Sequence, residues 1–205
     1  MSDSMATTLK RRITVLLFTI AVASGSTVPA RSDDAATGVV RRFYDGMIAV
    51  MRSGQATRAR FDQLKPVMVR TFDVPMMAQR VLGSHWSTLS PEARKRFQAA
   101  YADFIVATYA SKLDTYSGER FDVDPSGQAQ GDSTLVYTKI VDSDGVEHAV
   151  NYIVGRGGKV FDTYFDGTIS DVAARRSEFT GLLQRTGPDQ LIESLTDRTR
   201  KLLNR

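Results

Sequence analysis

Residues 90–116 read SPEARKRFQAAYADFIVATYASKLDTY. Ser90 offers a side-chain oxygen to the free amides of a first helical turn, and Pro91 suits the first helical position, where no backbone donor is needed. Apolar residues then recur at Phe97, Tyr101, Phe104, Ile105, Tyr109, Leu113 and Tyr116. Steps of one, three or four residues place all of them on one broad helical face. Arg94, Lys95, Arg96, Asp103, Lys112 and Asp114 fall to the other face. The spacing predicts one helix through Tyr116, roughly 39 Å long at the α-helical rise. Its aromatic-rich face suits either a packed core or the wall of a cavity for a long apolar ligand, and the stripe alone is compatible with both.

Downstream of this helix the period changes at Gly118. Arg120–Asp124, Ser133–Val141, Glu147–Val154 and Lys159–Phe165 are short runs with β-branched and aromatic residues prominent, and they predict strands. Asp142-Ser143-Asp144-Gly145 and Gly155-Arg156-Gly157-Gly158 are tight turns, so the strands form an antiparallel meander of about four. After Asp166-Gly167 a helix starts near Ser170, with Val172, Phe179, Leu182 and Leu183 on its buried side. Thr186-Gly187-Pro188 stops it, and Asp189–Leu203 is a last helix.

Upstream, Val40, Phe43, Tyr44, Met47, Ile48 and Met51 keep helical spacing to Arg52, with Ser53-Gly54 as the stop. Arg31–Gly38, small and polar, reads as a mobile leader. Phe61, Leu64, Val67 and Met68 suggest a helix around the breaker Pro66. Asp73 is a cap candidate for a short helix from Pro75 to Leu82. Helices, then strands, then helices define an α+β fold, with the sheet covered on at least one face by helices.

Residues 1–30 have the pattern of an export signal. Lys10-Arg11-Arg12 precede an apolar run from Ile13 to Ala23 that is too short to span a bilayer comfortably, and Val28 and Ala30 fit a cleavage site after Ala30. An uncleaved N-terminal anchor is the alternative; either places the remainder, one domain over 31–205, outside the cytoplasm. The chain is 42% hydrophobic and 24% charged, the range of soluble globular proteins. It has no cysteine, which excludes disulfides, cysteine nucleophiles and thiolate metal sites. Part of its +4 charge belongs to the N-terminal segment, and the balanced remainder argues against a nucleic-acid partner.

The residues for catalysis are few. His85 and His148 lack the partners a zinc site needs, and no nucleophile elbow or phosphate-binding loop is present. Asp162 and Asp166, four apart at a strand end, could act as an acid–base pair if burial separated their pKa values. Capping or solvated roles are the simpler reading. Arg41-Arg42, Arg94-Lys95-Arg96 and Arg175-Arg176 are basic clusters suited to solvent or to anionic surfaces. Met47, Met51, Met68, Met76 and Met77 concentrate in the N-terminal helices, where flexible thioethers suit an irregular apolar space.

The run Val160-Phe161-Asp162-Thr163-Tyr164-Phe165-Asp166-Gly167-Thr168-Ile169-Ser170, followed by Arg176, Glu178-Phe179, Leu182-Leu183, Gly187 and Leu191-Ile192, resembles the late motif of the MlaC (toluene-tolerance) family. Leu89-Ser90-Pro91-Glu92-Ala93 with Phe97 and Phe104, and Tyr109-Ala110, Leu113 and Tyr116-Ser117-Gly118-Glu119, resemble its long helix. TYSGERF and NYIV are most similar to its hopanoid-associated branch. The resemblance covers about residues 38–195. It implies a periplasmic lipid carrier without catalytic residues or cofactor. Such a carrier holds phospholipid or hopanoid tails in an apolar cavity and moves them between an inner-membrane transporter complex and an outer-membrane lipoprotein complex. The expected lipid-binding residues are Met47, Met51, Met77, Phe104, Ile105, Tyr109, Leu113, Tyr152 and Phe161. The competing readings are a small enzyme using Asp162, Asp166 or His148, and a membrane-anchored interaction protein with no cavity.

Overall fold

The computed structural model describes residues 31–204; the export signal read over residues 1–30 lies outside them. Five α-helices and seven strand segments follow in the order α1 (Arg31–Arg52), α2 (Thr57–Thr71), α3 (Val74–Leu82), α4 (Pro91–Lys112), β1 (Arg120–Val123), β2 (Gln128–Gln130), β3 (Ser133–Val136), β4 (Thr138–Val141), β5 (Glu147–Gly155), β6 (Val160–Phe165), β7 (Ile169–Ser170) and α5 (Asp171–Leu203). The architecture is α+β. Among the described residues no helix is long and apolar enough to cross a membrane.

Side-chain caps set three of the helix starts. Asp73 accepts from Met76 N at 3.0 Å, Ser90 from Ala93 N at 3.1 Å and Ser170 from Ala173 N at 3.0 Å. Elsewhere the structure corrects the helix boundaries. Arg31–Gly38 is not a leader but the first turns of α1, where Ala36 and Thr37 are buried. Pro66 does not break α2, which runs through it. Such a proline costs a helix one backbone hydrogen bond. The long helix ends at Lys112, four residues before Tyr116, because Leu113 turns to an extended conformation (φ −80°, ψ 121°). Tyr116 instead reaches back to α1: its amide donates to Met51 O at 3.3 Å and its ring lies 4.7 Å from the Arg52 guanidinium. Thr186-Gly187-Pro188 does interrupt the C-terminal helical run, through Gly187 at φ 81° and ψ 174°.

The seven strand segments form four antiparallel rows and a short β7. β3 and β4 both pair with one edge of β5, β6 pairs with its other edge, and β1 and β2 flank β4 and β3. The expected strand Ser133–Val141 is therefore one row interrupted at Tyr137. The register on β5 is unchanged across the break, Val136 facing Tyr152 and Lys139 facing Ala149. Side chains replace the ladder there: Asn151 Oδ1 accepts from Thr138 N at 3.2 Å, and Thr138 Oγ1 donates to Val150 O and bonds Tyr44 Oη at 2.6 Å.

The helices meet the sheet through aromatic rings. Phe43, 0% exposed, lies 5.1 Å from Phe72, 5.8 Å from Tyr109 and 6.0 Å from Tyr152, each near edge-to-face, so one ring joins α1, the end of α2, α4 and β5. Tyr44 extends the cluster to Tyr152 and to Phe121 of β1. A second group, Phe97, Tyr101 and Phe179, locks α4 to α5.

Truncating the hub, Phe43→Ala, is expected to cost about 3–5 kcal/mol in urea unfolding. A cost below about 1 kcal/mol would remove Phe43 from this role. Gly187→Ala meets no atom within 4 Å of the added Cβ. Its expected cost of about 1–3 kcal/mol comes from the glycine-only backbone conformation alone, and is checked by the same measurement.

Candidate functional site

Where α4 leaves the aromatic cluster, it and β6 do not close on each other. A cavity of about 80 Å³ remains, bounded by the ends of α2 and α3, by α4, by β6 and by the first turns of α5. Its apolar wall is Met68, Phe72, Met77, Ile105, Tyr109 and Phe165. Thr108, Lys112, Thr163, Asp171 and Arg175 supply its polar part. The link from α2 to α3 is tied to β6 by Asp73 N donating to Val160 O at 2.8 Å, which fixes Phe72 in the wall.

The charged lining comes from the last turn of α4 and the first turns of α5. Arg175 Nε donates to Asp171 Oδ2 at 2.6 Å, one turn apart on α5, with side chains 15% and 18% exposed. The guanidinium lies 5.0 Å over the Phe104 ring. Burial works against its charge, but the charge and hydrogen bond of the Asp171 carboxylate, together with the Tyr101 and Tyr109 phenols, hold the arginine pKa above its usual value. Burial, with the Asp171 charge beside it, also raises the pKa of Tyr109 and keeps its phenol neutral. Lys112 is exposed at the last turn of α4, its ammonium 5.8 Å from the Phe165 ring.

Of the nine residues expected to contact lipid, Met77, Ile105 and Tyr109 line this cavity. Phe104 lies behind it, beneath Arg175. Tyr152 is buried against Phe43 and Tyr44, while Met47 and Met51 are buried in the core on α1. Leu113 is a buried C-cap. Phe161 lies elsewhere, under the Arg80 guanidinium at 4.2 Å on a surface groove. The structure thus does not bring these nine together, since a helical stripe broader than one cavity also serves the core around it.

Sequence reasoning missed Phe72, Phe165, Lys112 and Asp171 as cavity residues; it read Met68 only as one of the methionines suited to an irregular apolar space, and Arg175 only as part of a basic cluster suited to solvent or anionic surfaces. Lys112 was placed on the polar face, yet it follows Ile105 and Thr108 at helical steps of three and four. That spacing was a usable signal, as was the i, i+4 pair Asp171 and Arg175.

The proposed carboxylate pair does not form. Asp162 is buried and accepts from Thr163 N at 2.8 Å, Ser170 Oγ at 2.7 Å and Val172 N at 3.1 Å. Asp166 is exposed in a turn at φ 50°. Asp162 is a clamp that joins β6 to the start of α5, and so holds Asp171 and Arg175 at the cavity. His148 is exposed and bonds Asp142 at 3.1 Å across a hairpin turn.

These features define an α+β protein in which a helix-covered antiparallel sheet holds a small, mainly apolar cavity with charged side chains in its lining. The chain belongs to the MlaC family, whose profile, described as MlaC protein, matches residues 41–197. It is 27% identical over 124 residues to the intermembrane phospholipid transport system binding protein MlaC of Haemophilus influenzae, and the match spans 57% of the length of each. Its fold is similar to that of a phospholipid-binding protein from Ralstonia solanacearum, solved in complex with a phospholipid. The TM-score is 0.70 at 22% identity, over 82% of this chain and 98% of that one.

Asp162→Ala leaves two buried amides and a hydroxyl without their acceptor, and is expected to cost about 1–3 kcal/mol of stability. Asp166→Asn, exposed and tolerant of the left-handed turn, is expected to change stability by less than about 0.5 kcal/mol. Equal effects in thermal unfolding would contradict the clamp.

Proposed function

We propose that this protein is a carrier of phospholipid in the periplasm. It takes acyl tails into the space between α4 and β6, leaves the head group by the charged part of the lining, and shuttles lipid between an inner-membrane transporter complex and an outer-membrane lipoprotein complex. The observation that carries this reading is a cavity whose lining joins an apolar wall to a few charged side chains, the combination an amphiphile needs. Membership of the MlaC family supports it, as do the phospholipid-related names of the two relatives. Asp162 is occupied as a clamp, so the reading needs no catalytic group.

The energetics favour a matched site over a very tight one. Each CH₂ removed from water contributes roughly 0.8 kcal/mol, so two tails of about 30 such groups gain more than 20 kcal/mol, but a bilayer offers about the same. A carrier must therefore compete with the membrane without exceeding it. At about 80 Å³ the cavity is well below the roughly 300–1,000 Å³ of ordinary ligand sites, so loading widens it. Met68 and Met77 in its wall can follow a changing apolar shape.

Lipid mass spectrometry on protein purified without detergent is expected to find stoichiometric phospholipid. A hopanoid would keep the carrier and change its cargo; a lipid-free protein that also refuses added lipid would overturn the reading. Ile105→Asp, a charge in the cavity wall, is expected to lower the lipid load more than about tenfold, and Ile105→Phe to lower it less. Full load in either variant with native circular dichroism would count against this location.

A further inference from the structure

We infer that a groove between the α2–α3 link and the β5–β6 turn docks this protein on the surface of an anionic phospholipid bilayer. The inference goes beyond the carrier reading and stands on a different part of the molecule. The groove, about 490 Å³ and open to solvent, is lined by Gly155 and Gly157 of the turn and by the longer Met76, Arg80, Lys159 and Phe161. A Cβ on Gly155 would stand 3.3 Å from the Phe161 ring, so the glycine lets the ring settle against the turn. The Arg80 guanidinium lies over that ring at 4.2 Å. The Lys159 ammonium donates to Val69 O in the last turn of α2 at 3.0 Å. Arg176 of α5 stands beside Arg80, its Nε donating to Arg80 O at 2.7 Å.

Charge is not balanced at this groove. Its two carboxylates are engaged, Asp73 as the cap of α3 and Asp132 with Arg156. Among the described residues Arg80, Lys159 and Arg176 make no ion pair. With Arg176 counted, four cations stand against two carboxylates. Among the described residues five large apolar side chains are exposed, and two of them are here: Met76 at 37% in the lining, and Val69 at 54%, whose carbonyl Lys159 holds. Exposed cations mixed with exposed apolar side chains are what an anionic membrane surface binds: the head groups attract the charges, and Val69 and Met76 leave water at the acyl boundary. The cations are anchored on different elements, Arg80 on Phe161, Lys159 on the end of α2 and Arg176 on α3, which suits many head groups better than one small anion. An acidic polypeptide would meet the charges but offer nothing apolar to cover Val69 and Met76. Docking here also orients the carrier. Phe72 and Met77 line the cavity, and their chain neighbours Asp73 and Met76 line the groove, so the α2–α3 segment is a partition between the cavity and the membrane.

The test is co-sedimentation of the purified protein with vesicles of phosphatidylcholine alone or mixed equally with phosphatidylglycerol, at about 0.15 M salt. The wild type is expected to bind the anionic vesicles about tenfold or more tightly, and to lose that preference as salt is raised. Arg80→Gln and Lys159→Gln, both at exposed positions, are each expected to weaken anionic binding about fivefold, and the double variant further. Arg58→Gln removes an exposed cation roughly 16 Å up α2 from Val69, about two screening lengths away, and is expected to change binding less than about twofold. Circular dichroism checks that each variant is folded. Equal binding to the two vesicles, unchanged binding in the double variant, or an equal loss in Arg58→Gln would overturn the docking face. So would a protein that ignores vesicles but binds polyglutamate through Arg80, since the face would then take an acidic protein segment. Lipid mass spectrometry on the same samples reads the carrier separately. A lipid-loaded protein indifferent to vesicles loses the docking face alone, and a lipid-free, unloadable protein that binds them through Arg80 and Lys159 loses the carrier alone.

Discussion

The contact of Phe43 with Phe72, Tyr109 and Tyr152 is the constraint on which the other features depend. Edge-to-face rings are thick and stiff, and each pair adds roughly 0.5–1.5 kcal/mol beyond the area it buries. Placed between the long helix and the sheet, the cluster fixes the distance between these layers. Beyond it the spacing persists but the filling changes to Met68, Met77, Ile105 and Phe165, and the space is no longer filled. Phe72 and Tyr109 belong to both the cluster and the cavity wall. The cavity is thus a consequence of how the core is closed next to it.

A second constraint orders the charged pair in the lining. The buried side of the Asp171–Arg175 pair gains little stability, because taking both ions from water offsets much of their attraction. What the pair contributes is position. Asp171 aligns the guanidinium over Phe104, and Asp162, through Ser170 and the Val172 amide, aligns the turn of α5 on which both stand. The result is a polar element set on rigid supports beside an apolar space, with Gly187 separating it from the rest of α5.

Much of this architecture was legible from local pattern. The 3.6 and 2 periods, the caps at Asp73 and Ser90, the helix start near Ser170 and the interruption at Gly187 all follow from how a short segment satisfies its own backbone. The errors arose where a distant partner decided. Arg31–Gly38 looks like a leader until Ala36 and Thr37 are seen buried. The row Ser133–Val141 looks continuous, but Asn151 on the neighbouring strand supplies the acceptor that interrupts it. Asp162 and Asp166 look like a pair, yet one faces the start of α5 and the other solvent.

Sequence alone therefore determined the element types, their order and the α+β class, because helical and strand periods reflect backbone hydrogen bonding within a few residues. It also determined that the long helix would have an aromatic face. Only the tertiary structure decided how that face divides, with Phe97 and Tyr101 against α5 and Ile105 and Tyr109 at the cavity. The division depends on which layer stands opposite each turn of α4. That is set by contacts between residues far apart in the chain, which no local spacing encodes.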